Sequence, residues 1–330
     1  MKQKILFVIP SLDAGGGEKA LVNLLYTLPE SLYEVDVLLF KKEGLFISQL
    51  PKHIQIIKPE GSYKLFTSPL VQSLFALFCK GKWKLMYYRI LYFLTLRKNQ
   101  NPAEAEQFAW KYWAKSMSEL PKTYDAAIAF LEKSSIYFVV DKVKAHKKFG
   151  WIHTLYNKSG MNPKFDAAYF SRLNKLITIT EECQKDLKYT FKDVVTVAVI
   201  ENISSKKLVH KLASESVDVQ AQNLIVTVGR LSPEKGTDLA VQAASILKKK
   251  GLLFTWVFIG EGSLRDKLET MVKNLALEDT VKFIGNQANP YKYVKRAQVY
   301  CQPSRYEGRS IAIDEAKLLA KPILAANFDT

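Results

Sequence analysis

Short apolar runs alternating with amphipathic segments, end to end, restrict this chain more than any other feature of its sequence. Runs rich in β-branched and aliphatic residues fall at 4–9, 35–40, 54–57, 126–130, 149–152, 176–179 and 194–200. A second series falls at 224–228, 254–259, 281–284, 299–302 and 322–325. Many are apolar throughout rather than alternating, which is the pattern of parallel strands covered on both faces. Helical periodicity fills the gaps, as at 17–28, 181–191, 237–250, 263–275 and 310–319. Strand, helix, strand, repeated, predicts a doubly wound α/β fold. Between Asn202 and Asn223 the pattern gives way to Ser, Lys, Gln and Glu without strong periodicity, so a boundary is expected there. The reading is two Rossmann-like domains, 1–202 and 203–330. The second series ends on a strand with no helix to cover it, so the second domain is expected to be incomplete.

Composition removes several classes. Hydrophobic residues make up 48% and charged residues 24%, which excludes a disordered or fibrous chain. Cys79, Cys183 and Cys301 form no Cys-x-x-Cys pair, and the four histidines show no ligand spacing. A disulfide scaffold and a cysteine zinc site are therefore excluded, and a reducing cytosol is expected. Residues 5–10 are too short for a signal segment. The longest uncharged stretch, 65–79, is interrupted by Pro69 and polar residues, whereas a spanning helix needs about 20 apolar residues. A cytoplasmic protein, peripheral on the inner face of the cell membrane, is the expectation. Its net charge is +16, with 29 cations against 18 acids before residue 200. Such an excess favours anionic partners: nucleic acid, an anionic membrane surface or phosphorylated substrates.

Three strand-to-helix turns could carry chemistry. The first strand runs into Gly15-Gly16-Gly17-Glu18 and then a helix, and backbone amides at such a turn can approach a phosphate. The spacing is not Gly-x-Gly-x-x-Gly, so a nicotinamide or flavin fingerprint is missing. A tight turn without a ligand reads the same way. In the second series, Gly229-Arg230-Leu231-Ser232-Pro233-Glu234-Lys235-Gly236 follows a strand and precedes a helix. Two cations on one strand-end loop are placed to grip a diphosphate. Gly260 and Gly262 form another glycine turn. Finally, Glu307-Gly308-Arg309-Ser310-Ile311 leads into a helix carrying Glu315. On a helix Glu307 and Glu315 would lie at most about 12 Å apart, which suits two carboxylates holding hydroxyls of an extended ligand. Amides from Gly308 to Ile311 would face an anion between them.

Taken together these residues resemble the retaining glycosyltransferases of family 4, the group 1 glycosyltransferases, of the bacterial polysaccharide-assembly type. The hallmark Glu-x7-Glu runs from Glu307 to Glu315, and Gly229–Gly236 matches the family's phosphate-gripping loop. Gly15–Glu18, Trp151-Ile152-His153, Thr180-Glu181-Glu182-Cys183 and Phe283-Ile284-Gly285 are ordered as in the family. The resemblance implies a GT-B fold, with two Rossmann-like domains facing across a cleft, an acceptor-side first domain and a nucleotide-sugar-binding second one. It implies that Arg230 and Lys235 neutralise the donor diphosphate, that Glu315 holds the ribose, and that Glu307 contacts the donor sugar. It places Gly229, Gly260, Ile284 and Gly285 by the nucleotide, Gly308, Arg309, Ser310 and Ile311 by the donor, His153 near the donor sugar as a catalytic residue, and Gly15 and Gly16 opposite, near donor phosphate and acceptor. A UDP-sugar would serve as substrate, with no further cofactor, and a lipid-linked or polysaccharide glycan as acceptor. No Asp-x-Asp occurs, so a metal-bridged diphosphate is not expected. Arg309 stands where an aromatic residue is common, and Asn202 lacks the usual glycine turn. A sugar-nucleotide epimerase of the same fold and an inactive nucleotide-sugar-binding scaffold are the alternatives.

Residues 61–103 contain no Asp or Glu, seven cations and nine aromatics. On a helix, Lys82, Arg89 and Arg97 would share one side, with Leu85, Tyr88, Tyr92 and Leu96 as an apolar stripe. That composition fits an interfacial helix on an anionic leaflet. An inserted helical subdomain packed on the sheet fits as well. Nucleic-acid binding would need a recognised module, and none is present.

Overall fold

A computed structural model describes residues 2–13, 15–217, 223–306 and 310–327. The chain forms two compact units, residues 1–202 and 203–330. In the first, the strands are β1 (Gln3–Ile9), β2 (Tyr33–Leu39), β3 (Gln55–Ile57), β4 (Thr123–Ala129), β5 (Lys144–Ile152), β6 (Lys175–Thr178) and β7 (Val197–Val199). Its helices are α1 (Gly16–Leu25), α2 (Tyr63–Thr67), α3 (Leu70–Cys79), α4 (Trp83–Lys98), α5 (Pro102–Trp113), α6 (Ser134–Lys142), α7 (Pro163–Phe170) and α8 (Glu181–Phe191). The second unit holds α9 (Lys206–Ala213), β8 (Leu224–Val228), α10 (Thr237–Lys249), β9 (Thr255–Ile259), α11 (Arg265–Asn274) and β10 (Val281–Phe283). It continues with α12 (Tyr291–Arg296), β11 (Val299–Gln302), α13 (Ile311–Leu318) and β12 (Ile323–Ala325).

Every strand pair is parallel. The first sheet runs β3-β2-β1-β4-β5-β6-β7, and the second runs β10-β9-β8-β11-β12. Each order reverses once, between β1 and β4 and between β8 and β11. Ligands of open α/β sheets bind outside the carboxyl ends of the strands at such reversals. Continuous burial explains the continuous apolar runs: Leu6 to Ile9 of β1 and Trp256 to Ile259 of β9 are all buried. Helix starts follow local chemistry. Thr180 caps α8 by accepting from the Cys183 amide (3.2 Å), and Glu181 and Glu182 sit in the positive first turn. Asn101 and Asn162 cap α5 and α7, each followed by proline at the first helical position.

Two expectations need correction. The stretch after Asn202 is not irregular, because Lys206–Ala213 is a helix that buries Leu208, Val209 and Leu212. Three lysines and His210 around those apolar positions diluted the periodicity, and Ser205 caps the helix at the Leu208 amide (3.3 Å). On α4, Tyr88 and Tyr92 of the expected apolar stripe turn inward, whereas Leu96 is exposed. Tyr88 stacks on Tyr112 (6.4 Å between ring centroids), and Tyr92 lies against Phe66 (5.8 Å) and Trp113 (6.4 Å). Arg89, adjacent to Tyr88 on that packed side, is only 5% exposed and donates from Nη2 to the Ser68 carbonyl (2.9 Å). It is therefore not part of a cationic face with Lys82 and Arg97.

Candidate active site

In the second unit the strand-end loops are laced together by their backbones. The Gly229 amide donates to the Ile259 carbonyl (3.0 Å), Leu231 to Glu261 (3.0 Å), and Gly260 to Gly285 (2.9 Å). Three glycines are required by this contact. A Cβ on Gly260 would lie 1.9 Å from the Gly229 carbonyl oxygen, and one on Gly262 2.3 Å from that of Leu231. Gly236 has φ +61 and caps α10, and its Cβ would lie 2.0 Å from the Pro303 carbonyl oxygen. The β8 and β11 loops thus touch backbone to backbone across the reversal point.

Side chains fix that contact further. Arg305 donates both guanidinium nitrogens to Asp238 (2.8 and 2.6 Å) and one to the Pro233 carbonyl (2.8 Å). The same guanidinium holds the Asp238 carboxyl below its ordinary range. Beneath, Thr227 Oγ1 donates to the Cys301 carbonyl (2.8 Å) and accepts from Trp256 Nε1 (3.0 Å). Tyr300, Gln302 and Ser304 form a buried chain of hydrogen bonds (2.6 and 2.8 Å) along β11 and beyond. A fully satisfied buried network of this kind holds one geometry.

Arg230 and Lys235 sit on this platform. Arg230 is 77% exposed and 3.5 Å from Glu234, whose carboxyl is held low chiefly by the Ser232 hydroxyl (2.5 Å). The Lys235 stem lies along Gly229, with Cδ 3.8 Å from where a Cβ would be. Both cations therefore rise from one turn at the carboxyl end of β8. Ile284 extends β10 by donating to Phe258 (3.1 Å), and Gly285 follows with φ +71. Glu315 is 3% exposed on α13 and accepts from the Tyr291 hydroxyl of α12 (2.7 Å). Tyr291 was not legible as a partner, since it lies 24 residues away with no motif around it. Ser310 is extended (φ −87, ψ 97), and the helix starts at Ile311 without a side-chain cap bond. Glu307, Gly308 and Arg309 lie outside the described residues.

In the first unit a second cluster lies at the β1–β4 reversal. Gly15 is the N-cap of α1, and Glu18 folds back over it, so that a Cβ there would lie 1.9 Å from Glu18 Oε2. Gly16 has nothing within 4 Å of its Cβ position. Gly17 faces Leu131 and, at 3.7 Å, the His153 ring. Glu132 follows β4 and accepts the His153 backbone amide (2.5 Å) and, more loosely, the Thr154 hydroxyl (3.4 Å). The next residue, Lys133, has a left-handed φ of 60, which a lysine adopts at a cost of about 1 kcal/mol or more. Burial raises the Glu132 carboxyl, and burial raises Glu18 with smaller contributions from Asp13 and Glu132. Both nitrogens of the His153 imidazole are buried with no well-formed hydrogen bond among the described residues. Burial pushes His153 down to about 4, and the nearby Phe130 carbonyl offsets little of that. The ring is therefore neutral, stacked beside Trp151 (6.0 Å) and tilted against Phe130 (5.0 Å). Sequence reasoning missed Glu132, whose one signal was an acid directly after an apolar strand. Among the described residues no cluster of three His, Cys, Asp or Glu side chains could hold a metal ion.

Comparison with known proteins places this geometry. Residues 210–330 match the family model for glycosyl transferases group 1. The matched stretch covers nearly all of the second unit. Poly(ribitol-phosphate) alpha-N-acetylglucosaminyltransferase of Staphylococcus aureus is 25% identical over 189 residues, covering 55% of this chain and 37% of that protein. A Campylobacter jejuni alpha-N-acetylgalactosaminyltransferase acting on a diphospho-undecaprenol-linked sugar is 34% identical over 117 residues, 36% of this chain and 29% of the relative. The matched stretch thus spans between a quarter and two fifths of these curated relatives. Among solved structures, S. aureus TarM with fondaparinux, alpha-GlcNAc-glycerol and UDP superposes with a TM-score of 0.60 at 15% identity, over 99% of this chain and 86% of that one. Anabaena HepE with UDP and glucose gives 0.57 at 18% identity, over 99% and 81%. The fold is GT-B.

Proposed function

We propose that this chain is a retaining glycosyltransferase of bacterial cell-surface glycan synthesis, moving a sugar from a UDP-sugar to a lipid-linked or polysaccharide acceptor. The observation that carries the reading is the β8–β11 reversal point, where glycine-enforced backbone contact presents Arg230 and Lys235 from one turn, inside the stretch matched to the group 1 family. Glycosyl transfer passes through an oxocarbenium-like state while charge develops on the departing diphosphate. Fixed cations and helix N-termini at that diphosphate lower the barrier without a metal. In this reading Arg230 and Lys235 hold the diphosphate, Gly229 and Gly260 let it approach, and Ile284 and Gly285 flank the base. Glu315 with Tyr291 meets the ribose. Glu307, Gly308, Arg309, Ser310 and Ile311 meet the donor sugar, and Gly15, Gly16, Glu132 and His153 line the acceptor side. The TarM and HepE crystals with UDP support the donor class. The alpha linkages in the relatives' names support retention, since an alpha product from an alpha-linked nucleotide sugar keeps its configuration.

The acid-free segment 61–103 attaches the chain to an anionic membrane surface, where a lipid-linked acceptor would be found. The test is a thermal-shift panel of nucleoside diphosphates and UDP-sugars, followed by transfer assays with and without EDTA. UDP and a UDP-sugar should raise the melting temperature by mass action, and transfer should persist in EDTA. Turnover of the UDP-sugar with no acceptor present would mark an epimerase instead.

A further inference from the structure

We propose that a lysine-lined cavity beside β3, α2 and the end of α3 holds the phosphate of an anionic membrane lipid, next to an apolar ridge on the α3–α4 hairpin that enters the bilayer. This deepens the membrane reading above and rests on it. The cavity, about 790 Å³, lies beside the ends of β2, β3 and α3, and Lys42, Lys58, Lys64 and Lys80 line it around Tyr63. Glu60 is the one acid on its wall, so cations outnumber it four to one. Among the described residues none of these lysines is paired with a carboxylate. Lys82 donates to Ser62 Oγ (2.7 Å), which brings the hairpin turn to the same wall.

The ridge starts at that turn. Val71, Phe75 and Phe78 on α3, and Trp83, Tyr87, Ile90 and Leu94 on α4, recur every three or four residues and are all exposed, Phe75 by 70% and Trp83 by 60%. Phe78 and Trp83 meet edge to face (4.8 Å) directly beside Lys80 and Lys82. The opposite side of α4 is packed through Tyr88, Arg89 and Tyr92, so the ridge is the side left over. Contiguous apolar surface rimmed by cations matches a leaflet with apolar depth and anionic headgroups. A phosphate in the cavity would lie at headgroup depth while the ridge lies below it. The ridge is what selects a lipid over a soluble phosphate.

The test uses the full chain and vesicles of equimolar phosphatidylglycerol and phosphatidylcholine. Two triple variants remove equal charge: K58Q/K64Q/K80Q in the cavity, and K84Q/R97Q/K98Q on the same segment outside it. The cavity variant should bind at least about tenfold more weakly than the other. Equal weakening would overturn the cavity and leave electrostatic attachment standing, whereas no binding by the parent would overturn both. Trp83 emission should shift to the blue on these vesicles and the shift should vanish in Trp83→Phe; an unshifted parent would overturn the ridge. Glycerol 3-phosphate binding as tightly without vesicles as lipid binds would overturn the lipid assignment in favour of a soluble phosphate.

Discussion

His153 ties the cluster at the β1–β4 reversal to pH. Its folded value of about 4, against an ordinary 6.5, means that the unfolded chain takes up a proton first as pH falls. Stability is therefore complete above pH 6.5 and drops between 6.5 and 4, by as much as about 3 kcal/mol. Denaturant titrations of His153→Phe across that window should show a flatter pH dependence than the parent; parallel curves would remove His153 as the cause. Glu132 runs in the opposite sense, because a raised carboxyl loses stability as pH rises through its folded value. Glu132→Gln keeps an acceptor for the His153 amide without the half-buried charge. It should gain roughly 1 kcal/mol at neutral pH while slowing transfer, the trade expected of a group kept for function. Urea midpoints and initial rates on the same two proteins decide this. The histidine was legible as a motif, but its unpartnered ring was not, because burial against Trp151 and Phe130 is a tertiary fact.

At the scale of elements, the glycine turns define the site. Gly236→Ala would place a Cβ against the Pro303 carbonyl and force φ +61 on alanine. A loss of about 2 kcal/mol or more in urea unfolding is expected, with UDP binding impaired. Arg305→Ala should cost less, about 0.5–1 kcal/mol, since its pair with Asp238 is partly solvated, yet it should loosen UDP binding by freeing the β11 loop. Arg89→Met replaces a buried guanidinium by an apolar chain of similar length, so stability should change little and vesicle binding should stay at the parent level. Strands and their parallel order were legible because both-face burial writes unbroken apolar runs into a sequence. Helix α9 was not, since its four buried positions fall in two short pairs among three lysines and a histidine. The inward turn of Tyr88 and Tyr92 was not either, since periodicity gives a stripe but not its neighbour. The two glycine loops were legible as a pair of turns, whereas their backbone contact, with Gly236 under Pro303, joins residues 67 apart.

Over the whole molecule, charge and site divide the work. The excess of +16 is concentrated before residue 200, so attachment to anionic vesicles should weaken as salt shortens the screening length from about 10 Å at 0.1 M to about 3 Å at 1 M. Sedimentation across that range checks it, and salt-independent binding would leave only the apolar ridge as anchor. The second unit's diphosphate site is the central claim, and it makes Lys235 and Glu307 separable. Lys235→Ala should lose roughly 1.5–3 kcal/mol of UDP affinity, the range for a hydrogen bond to a charged group. Glu307→Ala should bind UDP nearly as the parent does and yet transfer poorly, because its proposed partner is the sugar. The most direct measurement is calorimetric titration of UDP into the parent and the Lys235→Ala protein. A UDP affinity reduced by about tenfold or more in Lys235→Ala is the predicted result; an affinity equal to the parent's would contradict the assignment of this turn as the donor site.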